Sequence, residues 1–231
     1  METVLILDFG AQYSQLIARR VREQNVYCEV KPCSISPAEI EKIAPIGIIL
    51  SGGPQSVYES VSLRVDPALF ALGIPVLGIC YGCQLMAYSL GGTVAAATEA
   101  TAREYGKTLT EFDTHSAIFQ DLPASSVTWM SHGDYISRVP DGFTVTAKTA
   151  VCPTAAMACP EKRLYGVQFH PEVQHTVEGS EMLRRFLYTV CGASGDWTMA
   201  DYRQTAIRSI REKVGSCLLY TSPSPRDMRR S

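Results

Sequence analysis

The sequence predicts an α/β fold, a three-layer sandwich whose central sheet is mostly parallel with an antiparallel extension. Three observations carry this. Up to Gly91-Gly92, short apolar runs alternate with helical segments across short loops, the pattern of buried parallel strands covered on both faces. Beyond those glycines the strand-like runs follow one another across turns, an antiparallel habit. Of 231 residues, 46% are hydrophobic and 19% charged, which suits one sizeable core and argues against disorder.

Thr3–Leu7 is an apolar, β-branched run and reads as a buried strand. Gln12–Gln24 sets Leu16, Ile17 and Val21 at helical spacing, with Arg19, Arg20 and Arg22 on a face expected to be solvated. Val26–Lys31 is a second strand. Ser36-Pro37-Ala38-Glu39 opens a helix, with a capping Ser, Pro at the first position and Glu at the third. Gly47–Leu50 is a third strand, Pro67–Leu72 a short helix, Pro75–Ile79 a fourth strand and Cys83–Leu90 a helix. Then come strands at Thr108–Phe112, Val127–Met130, Thr144–Ala147, Ala155–Ala158 and Leu164–Phe169, and a closing helix at Glu181–Val190. Gly192–Gly195 reads as a linker, and Ala200–Val214 as an amphipathic helix.

A net charge of −2 excludes nucleic-acid binding by bulk charge. Met1-Glu2 leads straight into an apolar run without the basic start of a signal peptide. The apolar stretch Ile74–Ala97 contains Pro75, Gln84 and four glycines, so no membrane span is expected. Eight cysteines are too few for a disulfide scaffold and are expected to be reduced thiols in a cytoplasmic protein.

The sharpest chemical feature is Gly78-Ile79-Cys80-Tyr81-Gly82, between a buried strand and a helix. Glycines flank a nucleophile on such a turn because the strained backbone leaves no room for side chains. A helix N-terminus favours an anion, which suits a thiolate nucleophile, and the Tyr81 N–H would face a developing oxyanion. The bland alternative is a buried cysteine in a Gly-rich turn. Cys80 and Cys83 also form a Cys-x-x-Cys pair, which raises redox or zinc chemistry, but Cys83 one turn into the helix reads as a packed apolar residue, and zinc would need further ligands at matching spacing that Cys28 and Cys33 do not supply. No metal site is expected.

A cysteine nucleophile needs a base, and the base an orienting group. His170 stands in Gln168-Phe169-His170-Pro171-Glu172 at a strand end. In extended chain, residues two apart point to the same side, so Glu172 can hold the His170 ring. His115 has no evident partner, and His175 lies in a polar segment. His132, in Ser131-His132-Gly133-Asp134, could contact substrate but has no evident orienting partner. Ser51-Gly52-Gly53-Pro54 follows a strand, and its glycines let backbone N–H groups approach a ligand. A phosphate-binding loop is rejected there, because Gln55 stands where Asp is needed and Pro54 removes a donor.

Together Ser51–Pro54, Gly78–Gln84 and His170–Glu172, in that order across nearly all of residues 3–190, resemble the class I glutamine amidotransferases. Leu7–Tyr13, Trp129–Asp134 and Tyr165–Glu172 are similar to the GMP-synthesising branch of that family. Cys83 departs from the pattern, replacing a larger residue, often Met. The resemblance implies the flavodoxin-like sandwich of the family. It implies that Cys80, activated by His170 and Glu172, attacks the amide of L-glutamine. Gly53 and Tyr81 would form the oxyanion hole, and Gln84 with Ser131, His132, Gly133 and Asp134 would grip the glutamine. It further implies no cofactor in this chain. A synthetase (ATP-pyrophosphatase) domain, normally in cis, would use ATP and Mg, and the full-length enzyme would be a homodimer.

Three segments are expected: a glutaminase domain over residues 1–191, a linker and the start of a further domain over 192–216, and a tail over 217–231. The tail, CLLYTSPSPRDMRRS, resembles in-frame translation of a sequencing adapter and is expected not to be natural protein. Rival readings are a γ-glutamyl hydrolase, a silent regulatory module and a stand-alone glutaminase subunit.

Overall fold

The computed structural model describes residues 2–59, 62–97 and 103–215. The chain divides into two compact units, Met1–Asp196 and Trp197–Ser231. The adapter-like tail lies outside the described residues.

The first unit starts with β1 (Thr3–Asp8), α1 (Ser14–Glu23), β2 (Tyr27–Pro32), α2 (Pro37–Ile43) and β3 (Gly47–Leu50). After a 3₁₀ turn at Pro67–Ala71 come β4 (Val76–Ile79) and α3 (Tyr81–Ser89). Then follow β5 (Thr93–Ala96), β6 (Glu104–Phe112), β7 (Ser125–His132), β8 (Asp134–Arg138), β9 (Thr144–Lys148), β10 (Ala156–Cys159), β11 (Leu164–Val167) and α4 (Gly179–Arg185). The second unit contributes α5 (Met199–Val214).

The main sheet runs β2-β1-β3-β4-β11-β10-β9-β6-β7. Its first five strands are parallel to their neighbours, and pairing becomes antiparallel from β10 onward. This is the expected α/β sandwich with its antiparallel extension. Side-chain alternation along the central strands divides the core. Val4, Ile6, Ile49, Leu77 and Ile79 pack on one face with Ile17 and Val21 of α1 and Leu183 of α4. Leu5, Leu7, Ile48, Leu50 and Val76 pack on the other with Ile40 of α2 and Leu85 and Met86 of α3. Strands buried on both faces explain why they read as continuous apolar runs.

The Ser36 cap is a full capping box: Ser36 Oγ accepts from the Glu39 N–H, and the Glu39 carboxylate accepts from the Ser36 N–H. Two differences from expectation stand out. A separate antiparallel pair, β5–β8, is not visible in the sequence, because Asp134–Arg138 looks like a polar loop. The closing helix changes to a π-helical turn over Phe186–Val190. Among the described residues no helix is long and apolar enough to cross a membrane, and all seven described cysteines are free.

Candidate active site

Four apolar residues drive β4 into the centre of the sheet, and the chain then turns at once into α3. Cys80 sits at that turn with φ 51° and ψ −107°, a conformation few non-glycine residues adopt. The surroundings hold it there. Cys80 N–H donates to Val167 O at 2.8 Å, and Gly82 N–H donates to Ser51 O at 3.1 Å. A Cβ on Gly78 would lie 2.6 Å from Gly82 O, and one on Gly82 would lie 2.5 Å from Leu50 O. Both glycines are therefore required by close backbone approach. The result points Cys80 at the N-terminus of α3.

The second half of the site arrives on the neighbouring strand. β11 pairs with β4 in parallel, Gly166 opposite Gly78 and Val167 opposite Ile79. The chain then runs on to His170, whose N–H donates to Trp129 O (3.0 Å) and whose carbonyl accepts from Thr176 Oγ1 (2.6 Å). His170 Nδ1 lies 2.7 Å from Glu172 Oε1, the same-side partner expected from the spacing. With Nδ1 engaged, Nε2 is the ring nitrogen left for Cys80, whose sulfur acts on the charge of the ring. Gly52 lies against both, since a Cβ there would come 3.4 Å from His170 Cε1 and 3.9 Å from Cys80 Cβ.

Burial alone pulls the His170 imidazole down. Hydrogen bonds to Cys80 and Glu172, with the Coulombic pull of both, more than offset it and raise the ring to about 10. Cys83 is different. Its thiol is fully buried and pushed well above its ordinary value, chiefly by desolvation, so it is an inert packing group and not half of a redox pair. It fills the space beside Gly166 and Met157.

A pocket of about 320 Å³ opens beside Cys80, lined among others by Gly53, Ser56, Tyr81, Gln84 and Asp134. Gly53 packs tightly on Tyr81, because a Cβ on Gly53 would lie 3.1 Å from Tyr81 Cγ. The Tyr81 ring therefore packs on Gly53, and both residues line the pocket that holds Cys80. Asp134 accepts from Ser56 Oγ (2.5 Å) and Tyr58 OH (2.9 Å), tying the Ser131–Asp134 segment to the loop after β3. Gln84 lines the pocket, but its amide donates to Asp134 O (2.9 Å) and Gln168 Oε1 (3.1 Å). His132 also contributes to the wall, yet its ring is buried and Nε2 sits 3.5 Å from Glu104 Oε2. Glu104 is thus the partner that sequence reading could not find. Ser131 O faces the Cys80 thiol at 3.7 Å.

Glu104, His132 and Cys152 bring their donor atoms within 4.8 Å of one another. Glu104 Oε1 is taken by Thr149 Oγ1 at 2.7 Å. Burial pushes the Cys152 thiol up to about 12, with the Glu104 charge adding to the rise. We read the group as a buried His–carboxylate contact with a thiol neighbour.

Other residues escape a reading of the sequence. Gln168 Nε2 lies 3.6 Å from Cys80 Sγ. The signal is present, since Gln168, His170 and Glu172 are each two apart. Arg20, expected on a solvated face, donates from Nε to Glu172 O at 2.9 Å. Tyr13 sets its ring edge-on to His170 at 5.7 Å. His115 does have a partner, Asp113 Oδ1 at 3.0 Å, but at an exposed position. His175 lies against Trp129.

A strand–elbow–helix cysteine with a His–Glu pair just past the adjacent strand defines a Cys–His–Glu hydrolase-type site on an α/β sandwich. Residues 5–190 match the family model "Glutamine amidotransferase class-I", and the chain belongs to that family. Two Clostridium botulinum proteins named GMP synthase [glutamine-hydrolyzing] are 53% identical over 215 residues (strain Alaska E43) and 56% identical over 214 residues (strain Hall). Each match takes in 93% of this chain but 41% of the relative, so the chain spans less than half of those proteins. Among solved structures, a Thermoplasma acidophilum protein described as one subunit of GMP synthase is 30% identical with a TM-score of 0.71, over 90% of this chain and 98% of that one. A Thermotoga maritima glutamine amidotransferase shares the fold at 20% identity and a TM-score of 0.67, over 83% of this chain and 99% of that one.

Proposed function

We propose that this domain hydrolyses L-glutamine to glutamate and ammonia, and that the ammonia serves ATP-dependent amination of XMP to GMP. The observation that carries the hydrolysis is the placement of Cys80 between the His170–Glu172 pair and the pocket at Gly53 and Tyr81. The Cys80 sulfur attacks the side-chain amide carbon of glutamine. Gly53 and Tyr81 N–H groups stabilise the oxyanion, each such donor being worth roughly 10²–10³ in rate. Imidazolium His170 gives its proton to the departing ammonia, leaving a γ-glutamyl thioester. Neutral His170 then takes a proton from water, which attacks the thioester, and the returning thiol frees glutamate. Asp134 is the pocket carboxylate placed to take the α-ammonium of glutamine, and Gln84 acts by holding the Asp134 backbone.

The link to GMP rests on the longer Clostridium botulinum relatives. A synthetase domain in cis would hold ATP and Mg. The Thermoplasma acidophilum likeness favours a second arrangement, in which glutaminase and synthetase are separate chains. The test is labelling with a glutamine-analogue chloroketone followed by peptide mass spectrometry. One equivalent on Cys80, blocked by glutamine, supports the reading. Labelling spread over other thiols while Cys80 stays unmodified would sink it.

A further inference from the structure

Beside the nucleophile, two buried glutamines form a chain of amides that the Cys–His–Glu triad does not account for. Gln168 is fully buried and Gln84 only 4% exposed. Gln84 Nε2 donates to Asp134 O and to Gln168 Oε1, and Gln168 Nε2 faces Cys80 Sγ at 3.6 Å. The polarity of this chain is fixed at its far end. A backbone carbonyl can only accept, so the Gln84 NH₂ must face Asp134 O. Its second N–H then meets an oxygen of Gln168, which turns the Gln168 NH₂ toward the sulfur. Neither amide can flip without setting two donors or two acceptors against each other.

The sulfur therefore has two neighbours of opposite sense. Ser131 O, at 3.7 Å, can only accept, and suits the protonated thiol. Gln168 N–H can only donate, and suits the thiolate. A hydrogen bond to a charged acceptor is stronger than one to a neutral acceptor.

We propose that Gln168 is a further catalytic residue, whose side-chain N–H stabilises the Cys80 thiolate, and that Gln84 is a positioning residue that locks the Gln168 amide in its donating orientation. The proposal rests on the glutaminase reading of Cys80 and deepens it. During thioester formation the sulfur loses its charge and the Gln168 bond weakens; it is restored when the thioester is hydrolysed and the sulfur leaves. The amide exchanges no proton with the sulfur.

The test is the rate of Cys80 alkylation by iodoacetamide in the full chain, read by peptide mass spectrometry at pH 6 and pH 9.5. Gln168→Met removes the donor with little change of volume, and should slow alkylation about tenfold at pH 6, the factor lost with one hydrogen bond to a charged group. At pH 9.5, above the range of an ordinary free thiol, the gap should largely close. Gln84→Met should slow the pH 6 rate several-fold. Wild-type rates in Gln168→Met at both pH values would overturn the proposal. Equal slowing at both would also overturn it, since that marks a displaced cysteine and not a lost donor. Should Gln168→Met fail to fold, Gln84→Met decides in the same way. If wild-type Cys80 reacts no faster than Cys83 at pH 6, the glutaminase reading itself fails, a separate result from a Gln168 variant matching a reactive wild type.

Discussion

Replacing Gly82 by Ala tests whether backbone contact at the elbow sets the chemistry. The added methyl would lie 2.5 Å from Leu50 O and 2.6 Å from Leu50 Cβ. An ordinary carbon–oxygen contact is about 3.3 Å, so roughly 0.8 Å must be found by moving α3 away from β3. Leu50 belongs to a fully buried strand paired on both sides, so the helix is the element that gives. Its first residue supplies the Tyr81 N–H, and its N-cap is Cys80. Overpacking of this kind costs about 1–3 kcal/mol, and for a domain of this size each kcal/mol lowers Tm by roughly 2–4 °C. Misplacing a nucleophile by about 1 Å costs on the order of 10²-fold in rate. Gly82→Ala should therefore lower Tm by several degrees and glutaminase kcat/KM by about two orders of magnitude. Gly73→Ala is the control. Gly73 has φ +70° but open space around it, so the change costs about 1 kcal/mol of left-handed strain with no loss of activity. Calorimetry and a coupled glutamate assay read both. A Gly82→Ala protein with wild-type kcat/KM would refute the reasoning.

Further outcomes follow from the site. Cys80→Ala should abolish glutamine hydrolysis, whereas Cys83→Ala should keep most of it; equal loss in a steady-state assay would revive the Cys-x-x-Cys reading. Glu172→Gln should cut kcat by about 10²–10⁴, because His170, the general acid–base group, loses the carboxylate that orients it. It should also alter stability against pH. Because His170 is raised from an ordinary value near 6.5 to about 10, its contribution is complete below about 6.5 and lost as pH rises through about 10. Denaturant titrations across that window should show a fall in the wild type and a flatter profile in Glu172→Gln. Asp134→Ala removes the carboxylate and its ties to Ser56 and Tyr58, and should raise KM for glutamine by tenfold or more while Cys80 remains alkylatable; an unchanged KM would remove Asp134 from the glutamine site.

Much of this is legible in the sequence because each legible feature is local. Apolar runs on both faces mark β1, β3 and β4, and Ser36–Glu39 carries its own cap. The Gly-flanked Cys80 and the two-residue spacing of His170 and Glu172 give their geometry without distant partners. What stays hidden depends on residues far apart in the chain. Asp134–Arg138 becomes a strand only because Thr93–Ala96 offers it an edge. The His132–Glu104 contact needs β6 and β7 in register, with those two residues as a cross-strand pair. Arg20 looks like any solvated arginine until residues near Glu172 return beside α1. Gln168 shares the two-residue alternation of His170 and Glu172, but its role shows only once β11 lies beside β4 and brings the amide to the Cys80 sulfur.

The pairing of β4 with β11 has a consequence for how the domain matures. Nucleophile and base are some ninety positions apart in the chain, yet their separation is fixed by one run of ladder hydrogen bonds and by Cys80 N–H reaching Val167 O. Pairing strands so far apart in the chain closes a long loop, and such long-range closures are slow. A nascent or refolding chain therefore carries a cysteine but no catalyst until its final central pairing. Cys80 and His170 are therefore brought together only in a chain whose β4–β11 pairing is complete.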